Sequence, residues 1–243
     1  MADVASKKGR PRDAQGTREA ILAAAEAVFA EHGFAGARVD AIATASSYNK
    51  SLIGQYFGDK LGLYAEVIKR ADREVDELLA RAFAPLLTEE TAVSNARQLK
   101  IFLETMASTF FDYLLERPRL VRILTWEMAD GWQMLAKVVS QFPTGNSDRF
   151  EVFFREALRA GLLRSDFFPA IQFSLAFQLC LSYFASLPIY QLLLAGVAQE
   201  KAISVDTHLS SRSSLARAKE YLVGLVVAGM MKDSNGHQEN QHG

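Results

Sequence analysis

The chain has 243 residues, 49% of them hydrophobic and 23% charged, with a formal net charge of −1. This is the composition of an ordinary globular protein with material for one large or two modest domains, and it leaves disorder only for the ends of the chain. The near-zero charge also excludes a molecule-wide basic field, so any nucleic-acid contact has to come from a local cluster.

Taken in chain order, residues 1–15 are polar and basic without periodicity and read as a mobile arm. Lys7, Lys8, Arg10 and Arg12 stand beside Gly9 and Pro11, a composition suited to the narrow, electronegative minor groove of A·T-rich DNA. The alternative is a solvated tail without a role. Nothing apolar follows that would serve as a signal-peptide core. The single cysteine, Cys180, lies in an apolar stretch and excludes a disulfide within the chain, so a reducing cytoplasm is the expected location. Helical order begins near Thr17, with Ile21, Leu22, Ala25, Val28 and Phe29 at three-and-four spacing on an Ala- and Glu-rich background. Gly33 is expected to cap this helix. Val39, Ile42 and Ala43 mark a second, short helix that stops at Ser46 and Ser47, and Leu52, Ile53, Tyr56 and Phe57 mark a third that stops at Gly58. Asp59 then offers an N-cap for a long amphipathic run through Leu63, Val67, Ala71, Val75, Leu78 and Leu79, ending before Pro85.

Beyond Thr88 helix follows helix, near 92–116, 119–128, 132–141, 148–160, 169–187 and 214–231, and no window alternates apolar and polar residues as a strand would. The expected fold class is all-α, with nine to ten helices. Pro118, the stretch 143–147, Gly161 and the serine-rich 204–214 supply the breaks. Residues 233–243 are polar and expected to be disordered. The stretch 171–197 is long enough to cross a bilayer. Gln172, Gln178 and Gln191 recur along it and Pro188 interrupts it, which favours a helix buried on most sides inside a protein or a dimer, and no membrane partner. The four histidines lack metal-ligand spacing, and neither a Gly-x-Ser-x-Gly elbow nor a Gly-x-x-x-x-Gly-Lys phosphate loop is present. The sequence therefore offers no metal site, no cofactor and no catalytic constellation, and it does not read as an enzyme.

A short helix, a tight turn and a second short helix within 38–57, held by a preceding helix and followed by a long one, are the parts of a helix-turn-helix reader. A helix that enters the major groove has to be held by a compact three-helix unit, so one face packs while the other stays polar. Ile53 and Phe57, four residues apart, are expected to pack inward with Val39, Ile42, Ala25 and Phe29. Asn49, Lys50, Ser51, Leu52, Gln55 and Tyr56 then face outward, where Asn, Gln and Lys side chains suit base edges and phosphates.

These residues carry a resemblance. The segment GFAGARVDAIATASSYNKSLIGQYFGDKLGLY, beginning at Gly33, resembles the DNA-binding segment of the TetR/AcrR family of bacterial transcriptional regulators, and the opening Thr17-Arg18-Glu19-Ala20-Ile21-Leu22 is similar to that family's first helix. The match covers about the first quarter of the chain. It implies that Asn49 caps the recognition helix, that Lys50, Ser51, Leu52 and Gln55 meet bases or backbone, that Tyr56 bonds a phosphate and that Lys60 clamps another. Arg38 stands where the family usually has Thr or Ser, which forfeits a side-chain cap of about 1 kcal/mol while offering a cation to the phosphates. Ser47 replaces a usual Gly in the turn, Tyr48 a small aliphatic residue, and Gly54 an aromatic one; Gly inside a helix costs about 1 kcal/mol relative to Ala.

The resemblance implies a basic arm over 1–15, a three-helix DNA-binding domain over 16–62, a larger effector-binding and dimerisation domain over 63–232 and a tail over 233–243. Aromatic and sulfur side chains are dense in the second domain. Most are core, but Phe102, Met106, Phe110, Trp126, Trp132, Phe173, Phe177 and Gln178 are the candidates for a pocket that takes a hydrophobic or aromatic effector. Glu127 is among the polar residues beside them. The family usually dimerises through its last two long helices, for which Leu175, Leu179, Leu222, Leu225 and Val226 are the candidates, and a two-fold pair of readers suits a palindromic operator. The partners expected are thus duplex DNA, a second copy of the chain and a small effector. A membrane-associated helical protein, an enzyme in the second domain, and an activator in place of a repressor are the competing readings.

Overall fold

The computed structural model describes residues 11–84, 95–140, 147–164, 168–201 and 209–232. Among them are ten α-helices: α1 (Pro11–Gly36), α2 (Val39–Ser46), α3 (Lys50–Phe57), α4 (Lys60–Phe83), α5 (Ala96–Glu116), α6 (Pro118–Ala129), α7 (Gln133–Val139), α8 (Ser147–Arg159), α9 (Pro169–Lys201) and α10 (Arg212–Met230). The chain divides into two compact units, and their bounds differ from those drawn on the sequence. One comprises Met1–Arg73 with Arg119–Phe142, the other Glu74–Pro118 with Pro143–Gly243, in each case as far as the residues are described.

In the first unit, α1 starts at Pro11, earlier than the periodicity indicates, because proline suits a first helical turn whose N–H groups have no helical partner. Gly33 does not end the helix. It adopts φ 65°, ψ 178°, a backbone open essentially to glycine alone, and the chain re-enters a helical turn through Gly36. The core joins Ile21, Leu22, Ala25 and Phe29 of α1 to Ile42 of α2, Ile53 and Phe57 of α3, and Leu63, Tyr64 and Val67 of α4. The inward set expected from spacing is thus the one observed, with Val39 partly buried at its edge. Ion pairs Arg18–Glu66 and Arg70–Glu26 tie α1 to α4.

Helices α6 and α7 pack into this same core through Ile123 and Val138. Arg122 Nε and Trp126 Nε1 both donate to the Ala30 carbonyl, at 2.9 and 3.3 Å. Glu127 is 3% exposed; its carboxylate accepts from Tyr64 Oη at 2.6 Å and from the Leu135 N–H at 2.9 Å. The second bond serves the start of α7, whose N-cap position, Trp132, is left-handed (φ 63°) and has no side-chain cap. Burial, reinforced by the bond to Glu127, raises the Tyr64 pKa far above the usual phenol range, so this hydroxyl stays a donor.

The second unit packs Leu99, Phe102, Leu103, Met106, Phe110 and Phe111 of α5 against α9 and α10. Phe102 stacks between Phe83 and Phe153, with centroids 4.3 and 3.9 Å away, and Phe110 receives Phe173 and Phe177 edge-on. Burial pushes the Cys180 thiol up to about 12, so it is an inert core group facing the Ala107 carbonyl. Helix α9 continues through Pro188 to Lys201, where the sequence indicated an end at Leu187. Strong helix formers, Leu and Ala above all, flank the proline on both sides and carry the helix through the missing hydrogen bond. Within α9, Ile171–Gly196 has a mean hydropathy of 1.5, yet only 11% of its most apolar window is buried in the chain.

Candidate nucleic-acid interface

Helix α2 begins after Arg38, whose backbone is extended (φ −114°, ψ 137°) and whose side chain makes no capping bond, as its chemistry requires. The turn to α3 passes through Ser47 at φ 61°, with its N–H and that of Tyr48 bonded back to the Thr44 and Ala43 carbonyls. Left-handed backbone favours glycine, which explains the mismatch at this position: Ser47 adopts the conformation at some strain. Asn49 then caps α3, its side-chain oxygen accepting from the Leu52 N–H at 2.8 Å.

On α3, Ile53 (3% exposed) and Phe57 (8%) face the core, while Asn49, Lys50, Ser51 and Gln55 are exposed. Leu52 and Tyr56 lie between these faces; the Tyr56 ring packs at the core margin, 6.0 Å from that of Phe57. The helix closes at Gly58 (φ 75°), and Asp59 caps α4 by accepting from the Gly62 N–H at 2.8 Å. Gly62 is required by space. A Cβ there would lie 2.1 Å from the Phe57 carbonyl oxygen, so only glycine allows α4 to start this close to the end of α3.

Three cations mark this segment, each held differently. Arg38 is exposed, Lys50 lies 2.5 Å from Asp40 Oδ1, and Lys60 Nζ donates to the Ala35 and Ala37 carbonyls (3.2 and 2.9 Å) while sitting 4.6 Å from the Phe34 ring centroid. Lys60 therefore pins the turn after α1 to α4, a role that spacing alone did not reveal. Of the basic arm, Lys7, Lys8 and Arg10 lie outside the described residues, and Arg12 stands in the first turn of α1.

The effector candidates fall into two groups. Phe102, Met106 and Phe110 are fully buried in the second unit, with Phe173, Phe177 and Gln178 half-buried on α9. Trp126 and Trp132 belong to the first unit, because Trp126 bonds Ala30 and lies against Gly33, and Trp132 precedes α7. A groove of about 680 Å³ between α5 and α10 is lined by Lys100, Glu104, Ser108, Lys219, Val223 and Gly224 among others, and none of those candidates borders it. Of the dimer candidates, Leu222 and Val226 are buried within the chain's own core, Leu179 is half-buried, and Leu175 and Leu225 are exposed.

A polar-faced short helix, capped at its start and backed by three others, defines a helix-turn-helix domain. Residues 21–67 match the family described as bacterial regulatory proteins, tetR family. The chain is 34% identical over 116 residues to the HTH-type transcriptional repressor SCO4008 of Streptomyces coelicolor, covering 48% of this chain and 52% of that protein. It is 30% identical over 125 residues to the HTH-type transcriptional activator FasR of Mycolicibacterium smegmatis, covering 47% and 52%. These matches span about half the length of the relatives. The crystal structure of the transcriptional regulator SCO4942 of Streptomyces coelicolor is similar over 88% of this chain and 98% of that one, with a TM-score of 0.54 and 27% identity. Residues 21–67 thus carry the likeness to the tetR family, and the described residues fold entirely as α-helices and their connections.

Proposed function

We propose that the chain is a cytoplasmic, ligand-responsive transcriptional repressor that binds a palindromic operator as a homodimer and is released by a small hydrophobic or aromatic effector. The observation that carries this reading is α3: its Lys50, Ser51 and Gln55 face is exposed on a helix fixed by the Asn49 cap and the buried Ile53 and Phe57. In this reading Lys50, Ser51, Leu52 and Gln55 meet bases or backbone, Arg38 and Tyr56 meet phosphates, and Lys60 holds the turn that presents them, with the basic arm adding minor-groove contacts.

Dimerisation is supported by a stripe on α9. Ile171, Leu175, Gln178, Ser182, Ala185, Ile189, Leu192 and Gly196 recur at alternating four- and three-residue steps, and Leu192 is 70% exposed. That is the spacing of a helix packed along another helix, with small and polar residues at its middle where two backbones can approach. A lipid-facing helix has no use for Gln178 and Ser182 in that row. On α10, Arg217, Tyr221, Gly224 and Ala228 form a second exposed row. For the effector, Tyr183 is the supporting observation. Its hydroxyl is a buried side-chain polar atom with no hydrogen-bond partner among the described residues, and the Phe111 and Phe184 rings lie 5.7 and 5.3 Å from its own. An effector with an apolar body and one polar group would meet that hydroxyl. It would act by favouring one spacing of the paired readers over another.

Selection of duplexes from a random pool by the purified full chain tests the reading. An enriched palindrome is expected, bound by two chains, with a log–log salt slope that grows by about 0.9 for each phosphate contacted. Failure to enrich any site would overturn it. The relative FasR is named an activator, which favours keeping that sign as a second reading; transcript levels beside the selected site, with and without the protein, separate the two.

A further inference from the structure

Between Arg38 and Lys60 there are two carboxylates, Asp40 and Asp59. Asp59 is committed to capping α4 at Gly62. Asp40 lies in the first turn of α2, where the helix dipole favours an anion, but its Oδ1 reaches across to Lys50, the first residue of α3, at 2.5 Å. The side chains are 57% and 70% exposed for Lys50 and Asp40 respectively, so this pair is not part of the core. Lys60 meets two carbonyl dipoles and the face of the Phe34 ring, none of which is an anion, whereas the charge of Lys50, on the exposed face of α3, is paired with a full negative charge.

The pairing acts differently on the two kinds of DNA contact. A phosphate that takes Lys50 merely substitutes one anion for another, and it draws Asp40 against a polyanion, so this contact gains little on any sequence. An ammonium has three donors. Lys50 held by Asp40 retains donors for an acceptor on a base edge, such as guanine O6 or N7, without giving up the carboxylate. We infer that Asp40 is a specificity-determining residue: it holds Lys50 at the entry of the recognition helix for base acceptors and suppresses its contact with phosphates at random. The inference rests on the DNA-reading function proposed above.

The test uses the full chain and its Asp40→Asn, Lys50→Ala and doubly substituted forms, each titrated over a range of salt against the selected duplex and a random-sequence duplex. Thermal unfolding of Asp40→Asn should remain cooperative with a midpoint only slightly below the parent's, since the change keeps the side chain's size and removes one exposed ion pair and one helix-dipole contact. Asp40→Asn is expected to tighten random-duplex binding by about threefold to fivefold, the scale of an exposed ion pair. Its salt slope on random DNA should steepen by about 0.9, one further phosphate contact. The selected duplex should gain less, so the ratio of the two affinities falls. With Lys50→Ala already in place, Asp40→Asn should leave the slope unchanged. Equal gains on both duplexes, weaker binding to both, or a steeper slope that persists without Lys50 would each overturn the assignment. A parent protein that enriches no site removes the function itself, whereas a parent that enriches a site with a ratio unmoved by Asp40→Asn overturns only the role of Asp40.

Discussion

The two units of this chain are specified in different ways. In the reader, position is set by single atoms: the Asn49 oxygen on the Leu52 N–H, the Lys60 ammonium on two carbonyls, the Glu127 carboxylate between Tyr64 and Leu135, and a glycine at 62 where no Cβ fits. In the second unit, position is set by bulk, with Phe83, Phe102 and Phe153 stacked in a row and α9 leaving an apolar stripe uncovered. A surface proposed to match the fixed spacing of a duplex needs a backbone held to a fraction of an ångström. A domain proposed to admit an effector and a second copy is served by apolar volume that can be repacked.

The contrast breaks first at Gly62. Adding one methyl, Gly62→Ala, sets a carbon 2.1 Å from the Phe57 carbonyl oxygen, and a backbone atom cannot rotate aside as a side chain can. The expected cost is about 3 kcal/mol or more, at or beyond the upper end for inserting a methyl into a packed core, with loss of operator binding as the α3–α4 turn opens. Denaturant unfolding of the full chain measures it, and a loss below 1 kcal/mol would show that the turn is looser than its geometry indicates.

Glu127 comes next. Glu127→Ala leaves the Tyr64 hydroxyl and the Leu135 N–H without an acceptor, and a buried unsatisfied donor costs about 1–3 kcal/mol. A total of about 2–3 kcal/mol is expected because Leu135 is only partly buried. Unfolding followed by Tyr and Trp fluorescence checks it, and a neutral result would mean that water replaces the carboxylate.

These two residues mark where the sequence stopped being readable. The inward face of the reader was legible because Ile21, Ala25, Phe29, Ile42, Ile53 and Phe57 repeat with the helical period, and the Asn49 cap because the family resemblance implied it. Glu127 left a fainter mark: it occupies the position that continues the apolar row Leu120, Ile123 and Leu124 on α6, and a carboxylate in such a row signals a buried partner. That partner, Tyr64, is 63 residues away in the chain, which no local pattern can supply. The inclusion of α6 and α7 in the reader unit was hidden for the same reason. Gly62 looked like any glycine in a helix, since its constraint is a distance to another residue's carbonyl. In the second unit, Leu222 and Val226 read as interface by composition alone, and only packing shows them turned to the core.

Phe102→Leu sharpens the contrast from the other side. Phe102 is fully buried among rings, but Leu is apolar and close enough in volume for its neighbours to close around it, so about 1 kcal/mol is expected. Measured by the same unfolding experiment, a cost equal to that of Gly62→Ala would erase the distinction between atoms and bulk.

The smallest effect is expected at Gly54, and its sign is opposite. A Cβ at Gly54 meets no atom within 4 Å, and the residue lies inside an eight-residue helix. Alanine there removes backbone freedom from the unfolded chain and asks nothing of the folded one, so Gly54→Ala should stabilise the chain by about 0.5–1 kcal/mol. The glycine is half-buried, between the core-facing Ile53 and the exposed Gln55, and a methyl there is small beside the Lys50 and Gln55 side chains proposed to reach DNA. Operator affinity should therefore be unchanged while the unfolding midpoint rises. A raised midpoint with weakened binding would instead show that DNA meets the backbone of α3 at this residue. Position 54 would then join Gly62 as a place in the reader where one absent methyl sets the geometry.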